Sequence, residues 1–291
     1  MPSRGHRFIS NQGRKFRPTV RPVWQPGPRT RRQGDDFPRK HPCRDGHGHA
    51  RQCGHPHSPS GTRADPLLDD AFAWLRWVDD TFSPTKEDSQ IGRLNRGQTI
   101  RQIPELIEVL HRCDELSEVT DGWFEARING RIDPSGYIKG WALERLSRAL
   151  CNAGAVDHRI TAGDDIRVRG SAAPGKRWRI GVRDPRTDVV RKVVFAHDLG
   201  IATSGGAPVI NPRTGEVRHG MGFVTVIGPD LGLADAYATA AYAMGPLLAR
   251  RFATDLSREG LYETLFVLPD GQEFSTPGFA HHSGAAARLA G

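Results

Sequence analysis

The sequence predicts an α+β fold, with helices packed on a mainly antiparallel sheet. Helical apolar spacing dominates residues 66–151, whereas residues after 155 break into short strand-like runs separated by Gly, Pro and Asp. Helices come first and strands mostly later, unlike the strict alternation of a doubly wound sheet. No G-x-G-x-x-G or P-loop pattern and no internal repeat is present.

Each element has its own local reason. Asp65-Pro66 reads as an N-cap with proline at the first helical position, and Leu67, Leu68, Ala71, Phe72, Leu75 and Val78 then recur at helical spacing, predicting a helix over 66–79. A second starts at Pro104 and carries Leu106, Ile107, Leu110, Cys113 and Leu116, with Gly122 as its stop. A third runs over 139–151, with Ala142, Leu143, Leu146 and Leu150 inward and Gly154 just beyond. Strands are predicted at Arg159–Ala162, Trp178–Val182, Lys192–Ala196, Gly200–Thr203 and Phe223–Ile227. Helices over 233–244 and 247–256 follow. Thr264–Leu268 and Gln272–Ser275 around Pro269-Asp270-Gly271 read as a terminal hairpin.

Composition divides the chain at residue 64. The whole carries 41 Lys plus Arg against 33 Asp plus Glu, a net charge of +8. Residues 1–64 hold 14 basic and 3 acidic side chains, nine of the 21 prolines and no leucine. So little apolar material cannot offset the entropy of folding, which predicts a disordered basic Pro/Gly/His-rich arm over 1–64. The body over 65–280 is mildly acidic, and 281–291 reads as a flexible tail. The basic balance therefore gives no reason to expect a nucleic-acid partner for the body. No apolar run approaches the ~20 residues of a membrane span, and Phe8-Ile9 is followed at once by polar residues where an export signal needs an apolar stretch. The expectation is no transmembrane segment and a cytoplasmic location. Cys43, His47, His49, Cys53 and His55 are ligand types, but their spacing matches no usual zinc pattern.

Three places in the body carry more than packing. Asp133-Pro134-Ser135-Gly136 feeds a helix and Lys139 adds a cation, which suits a phosphate; an ordinary Asp-Pro turn fits equally. Gly163-Asp164-Asp165 ends a strand, where carboxylates suit a metal or a ribose and equally a solvated turn. Asp235 and Thr239, four residues apart on one helix face, are hard oxygen ligands of the kind Mg²⁺ takes. Alternatively, Asp235 is simply favourable in a first helical turn.

Taken in order, these motifs resemble the FAD:protein FMN transferase (ApbE-type) family over residues 69–279. The match includes Phe82-Ser83, Asp88-Ser89, Arg93-Leu94-Asn95, Thr120-Asp121-Gly122-Trp123-Phe124 and Asp133-Pro134-Ser135-Gly136 with Lys139-Gly140-Trp141-Ala142. It continues through Trp178-Arg179-Ile180-Gly181, Ala202-Thr203-Ser204-Gly205, Asn211-Pro212-Arg213-Thr214-Gly215, Val224-Thr225-Val226 and Ala234-Asp235-Ala236-Tyr237-Ala238-Thr239-Ala240. The resemblance implies an ApbE-like α+β enzyme that binds FAD and Mg²⁺, transfers FMN to a Thr or Ser hydroxyl of a target flavoprotein and releases AMP. It implies Asp235 and Thr239 as catalytic metal ligands, with backbone oxygen near Gly136 as a further one. Trp123, Phe124, Glu125, Asp133, Lys139 and Ile210 match positions that contact FAD, although Trp123 and Phe124 also fit a core.

Four departures from the family pattern stand out. Thr85 replaces a Tyr, and Gly163-Asp164-Asp165 replaces Gly-Gly-Asp. The segment between Gly205 and Asn211 is short, and Pro208 takes the place of a His implied as general base, a task proline cannot perform. No counterpart of the family's first strand is evident in residues 1–64, which would leave a sheet edge exposed. These departures leave open an impaired transferase, an FAD pyrophosphatase giving FMN and AMP, or a degenerate flavin-binding protein.

Overall fold

A computed structural model describes residues 18–21 and 66–284. Strand β1 (Pro18–Arg21) precedes three helices, α1 (Pro66–Phe82), α2 (Gln90–Asn95) and α3 (Pro104–Val119). A small hairpin, β2 (Arg127–Ile128) and β3 (Arg131–Ile132), leads into α4 (Ser135–Asn152). Then come β4 (His158–Ala162), β5 (Asp165–Arg169), β6 (Trp178–Arg183), β7 (Val190–Ala196), β8 (Gly200–Ser204) and β9 (Phe223–Gly228). The chain continues through α5 (Leu231–Met244), α6 (Pro246–Arg258), β10 (Glu263–Val267), β11 (Glu273–Ser275), α7 (Phe279–His282) and β12 (Ser283–Gly284).

Seven strands form one antiparallel sheet in the order β1-β4-β5-β8-β9-β10-β11, and a second sheet has the order β12-β7-β6. The large sheet is covered on both faces. On one side, Val224, Val226, Ala202 and Phe266 pack with α1, α3, α4 and α5. On the other, Phe223, Ile227, Ile201, Leu265 and Val267 meet Trp178, Ile180, Val182 and Val194 of the small sheet. Double coverage explains why all six residues of β9 are buried and why its sequence is apolar but for Thr225, whose hydroxyl meets that of Thr203 (2.9 Å).

The helical layer is built for close approach. A Cβ on Gly140 of α4 would lie 2.5 Å from Leu231 O and 2.9 Å from Gly232 Cα, so the backbones of α4 and α5 touch where glycine allows it. Ala234, Ala236, Ala238 and Ala240 of α5 are buried, as expected of a helix enclosed all round. Helix α1 lies across α4 through Trp74, whose Nε1–H donates to Ala142 O (3.0 Å), and through the Phe82–Trp141 edge contact.

The predicted helices and most strands are found with longer ends, the terminal hairpin strands are shifted or shortened by one residue, and several elements were missed. Strand β5 is not among the expected strands, and the solvated turn offered for Gly163-Asp164-Asp165 does not hold at Asp165, which is buried with Arg167 and points toward α4. Within the segment 1–64, expected to be disordered, Pro18–Arg21 forms a strand that pairs antiparallel with β4, Thr19 opposite Thr161. The edge of β4 is therefore covered. The remainder of the arm, with Cys43, His47, His49, Cys53 and His55, and the Asp65 cap lie outside the described residues. Of the expected tail over 281–291, His281 and His282 end α7, and Ser283 and Gly284 pair with β7. No helix among the described residues is long and apolar enough to cross a membrane.

Candidate functional site

Helices α4 and α5 and strands β5 and β8 converge on one group of side chains. Asp230 caps α5, its Oδ1 accepting Leu233 N–H (3.0 Å), so Asp235 sits in the second turn rather than the first. The dipole explanation for Asp235 therefore falls away. Its carboxylate is buried and accepts the Gly140 N–H (3.1 Å). One turn on, Thr239 Oγ1 lies 3.4 Å from Ser204 Oγ at the end of β8.

Asp165 opens β5 and is wholly buried. Its Oδ2 lies 2.8 Å from Lys139 Nζ, and its Oδ1 accepts Thr203 N–H (3.2 Å). Burial and the neighbouring Asp165 carboxylate raise the pKa of Asp235, with Lys139 and the Gly140 N–H opposing. Burial disfavours the Lys139 cation, but Asp165 and Asp235 outweigh it and raise that pKa. Two carboxylates thus converge on one ammonium beside a hydroxyl, and burial with the Asp165 charge disfavours the ionised form of Asp235.

Gly136, at the start of α4, faces this group from the opposite side. A Cβ there would lie 3.0 Å from Thr239 Cγ2, 3.1 Å from Thr239 Oγ1 and 3.2 Å from Phe124 Cε2. Phe124 is buried and forms one wall, its N–H held by Thr120 Oγ1 at the end of α3 (2.9 Å). Gly136, Lys139, Phe124, Asp235 and Thr239 are therefore brought together. The Asp235 carboxyl, the Thr239 hydroxyl and nearby backbone are hard oxygen donors of the type Mg²⁺ takes, while no group of three or more His, Cys, Asp or Glu side chains among the described residues is arranged to hold a metal.

The remaining predicted residues take other places. Asp133 is exposed and its Oδ1 accepts Ser135 N–H (3.0 Å), so one amide of the turn expected to face a phosphate is engaged. Lys139 is likewise committed to Asp165 rather than free. Glu125 is held by Ser117 Oγ (3.0 Å) and Arg127 N–H (2.7 Å). Trp123 is half-buried beneath the Arg213 guanidinium, 4.6 Å from its ring centre, and Arg213 also donates to Asp121 O (3.0 Å). Ile210 is exposed on the bridge it makes with Val217, so the 210–217 loop is latched over the 121–123 turn. Thr85 is exposed and bonded to Ser83, and Pro208 is exposed.

Asp165 belongs to the Gly163-Asp164-Asp165 candidate, whereas Ser204 and Gly140 lie within quoted motifs but were not among the candidate site residues. Gly140 contributes only its backbone N–H, which no side-chain pattern reveals.

A model of the ApbE family matches residues 52–130 and 125–262. Over 160 residues the chain is 29% identical to proteins named FAD:protein FMN transferase from Salmonella typhimurium and Escherichia coli K12, covering 50% of this chain and 45% and 44% of theirs. The chain thus matches less than half the length of these relatives. Among solved structures, the flavin transferase ApbE from Vibrio cholerae superposes with a TM-score of 0.65 at 20% identity, covering 78% of this chain and 93% of that one. The ApbE protein from Thermotoga maritima gives 0.67 at 24%, covering 77% and 93%. At these identities the superpositions establish the fold.

Proposed function

The chain belongs to the ApbE family, and from that premise we propose that it is an FAD:protein FMN transferase acting on a Thr or Ser hydroxyl of a target flavoprotein. The observation that carries the reading is the convergence of Asp235, Thr239 and Gly136 with the Lys139–Asp165 pair. The catalytic unit on this reading is residues 65–280 together with the strand at Pro18–Arg21.

Asp235, the Thr239 hydroxyl and backbone oxygen near Gly136 would hold Mg²⁺, which supplies charge neutralisation at the FAD pyrophosphate when bound. Lys139 holds the Asp165 carboxylate in place. The Gly140 N–H fixes the direction of the Asp235 carboxylate. Phe124 excludes water from one side, and Trp123 with Arg213 and Ile210 borders the flavin side. In the transfer, the acceptor hydroxyl oxygen bonds to the FMN phosphorus, the bond from that phosphorus to the AMP oxygen breaks, and AMP leaves with the electron pair. The hydroxyl proton must pass to a base.

Pro208 favours a second reading, FAD hydrolysis to FMN and AMP, because it stands where a basic side chain would take that proton. One assay separates the readings: purified protein with FAD, MgCl₂ and a peptide containing Asp-Gly-x-Thr. Fluorescent peptide with AMP supports transfer, and FMN with AMP and unlabelled peptide supports hydrolysis. Intact bound FAD points to a binding protein, and absence of FAD binding overturns all three.

A further inference from the structure

One turn beyond Gly140 on α4, Glu144 is buried at 4% exposure and none of the groups above uses it. Its Oε2 accepts the N–H of Leu231 (3.1 Å), the first residue of α5, and lies 2.9 Å from Arg167 Nε. Its Oε1 accepts from Arg167 Nη2 (3.2 Å) and Arg169 Nη2 (3.0 Å), with Arg148 Nε at 3.7 Å. Arg167 is wholly buried on β5, two residues after Asp165 and therefore on the same face of the strand.

The three elements joined here are those joined at the site itself. Lys139 and Gly140 of α4, Asp165 of β5 and Asp235 of α5 make one tier. Glu144 of α4, Arg167 of β5 and the Leu231 N–H of α5 make a second tier, one helical turn away from the first on each helix. Stability is a poor explanation for the second tier. A buried ion pair seldom outperforms packed apolar side chains of the same volume, and Arg167 Nη1 has no hydrogen-bond partner. Fixing the registry of the surrounding elements is the better attested use of such a group.

We infer that Glu144 is a positioning residue, whose carboxylate holds the start of α5 against α4 and β5 so that Asp235 and Thr239 face Gly136 at a spacing suited to a divalent cation. The inference rests on the cation site of the transferase reading. Displaced supports of metal ligands typically weaken metal binding about 10–100-fold.

The test uses MgCl₂ alone on the full chain, following the melting temperature against Mg²⁺ concentration to obtain a midpoint without FAD or turnover. Glu144→Gln keeps shape and removes charge; Glu144→Met with Arg167→Met replaces the pair by apolar volume and serves if the single variant does not fold. The expected result is a melting temperature without Mg²⁺ close to that of the parent in the double variant, with its Mg²⁺ midpoint raised about tenfold. A midpoint within threefold of the parent in the folded double variant overturns the inference. A parent chain with no Mg²⁺ response overturns the cation site, and with it both the transferase reading and this inference.

Discussion

Gly136 and Thr239 approach so closely that a methyl group on Gly136 would sit 3.0 Å from Thr239 Cγ2 and 3.1 Å from its Oγ1. Ordinary contacts of that kind are longer, and Phe124, at 3.2 Å, blocks retreat on one side. Gly136→Ala is therefore expected to push the Thr239 hydroxyl away from Asp235. Turnover should fall at least about tenfold, with a stability cost of about 1–3 kcal/mol typical of overpacking. Steady-state kinetics beside a melting curve checks this, and unchanged turnover would remove Thr239 from the site.

Asp235→Asn keeps the shape of the side chain and discards its charge. The Gly140 N–H can still be accepted by the amide oxygen, so the fold should persist. Mg²⁺ dependence and FMN transfer should be lost together. Retained turnover with unaltered Mg²⁺ dependence would show that the cation, if any, sits elsewhere.

Lys139 lies 2.8 Å from Asp165, and its charge also acts on Asp235. Replacing it by Met leaves two adjacent carboxylates without their ammonium. We expect Lys139→Met to lower stability by about 1–3 kcal/mol, and added MgCl₂ to restore more of the melting temperature in this variant than in the parent. An equal Mg²⁺ response in the two chains contradicts the shared-charge account.

The loop latch makes a local prediction. Arg213→Ala removes the guanidinium above Trp123 and its bonds to Asp121. These groups are largely exposed, so the melting temperature should hardly move. The KM for FAD should rise about two- to fivefold, in line with about 0.5–1 kcal/mol for an exposed cation–π contact. An unchanged KM would place the flavin away from Trp123.

His158 predicts a pH dependence of stability. It is fully buried, and because Ala155 O accepts from Nδ1–H (2.7 Å), Nε2 is the acceptor for Ser147 Oγ–H (2.8 Å). Burial lowers its pKa below the ordinary 6.5, and Arg169 and Arg167 act in the same direction, against Ala155 O and Asp157. The folded chain therefore binds fewer protons than the unfolded one in this range. The His158 contribution should be complete above pH 6.5, decline as pH falls below it, and level off beneath the lowered folded-state value. Melting curves between pH 8 and pH 5 should show this loss, and His158→Gln should flatten it.

The amphipathic helices were largely legible from spacing: Leu106, Cys113 and Leu116 of α3 are buried as expected, although Ile107 is exposed and Val109 takes a core position instead. The pairing of Asp235 with Thr239 was equally local, being set by four residues of one helix. Strand β5 was not legible, since Asp165 and Arg167 are buried only because Lys139 and Glu144 of α4, more than 20 positions earlier in the chain, arrive beside them. Strand β1 was hidden for a related reason. Its four residues have little pattern of their own, and the free edge of β4 supplies their hydrogen-bond partners.

The sequence by itself determined the α+β order of elements, the family motifs and the placing of Asp235 and Thr239 on one face of α5. Only the tertiary structure decided that Asp165 shares Lys139 with Asp235, that Glu144 ties β5 to the start of α5, and that Gly136 closes on Thr239. The division is physical. Periodicity and turn chemistry act between neighbours in the chain, whereas the charge balance of a buried carboxylate depends on groups that meet only when helix and sheet pack.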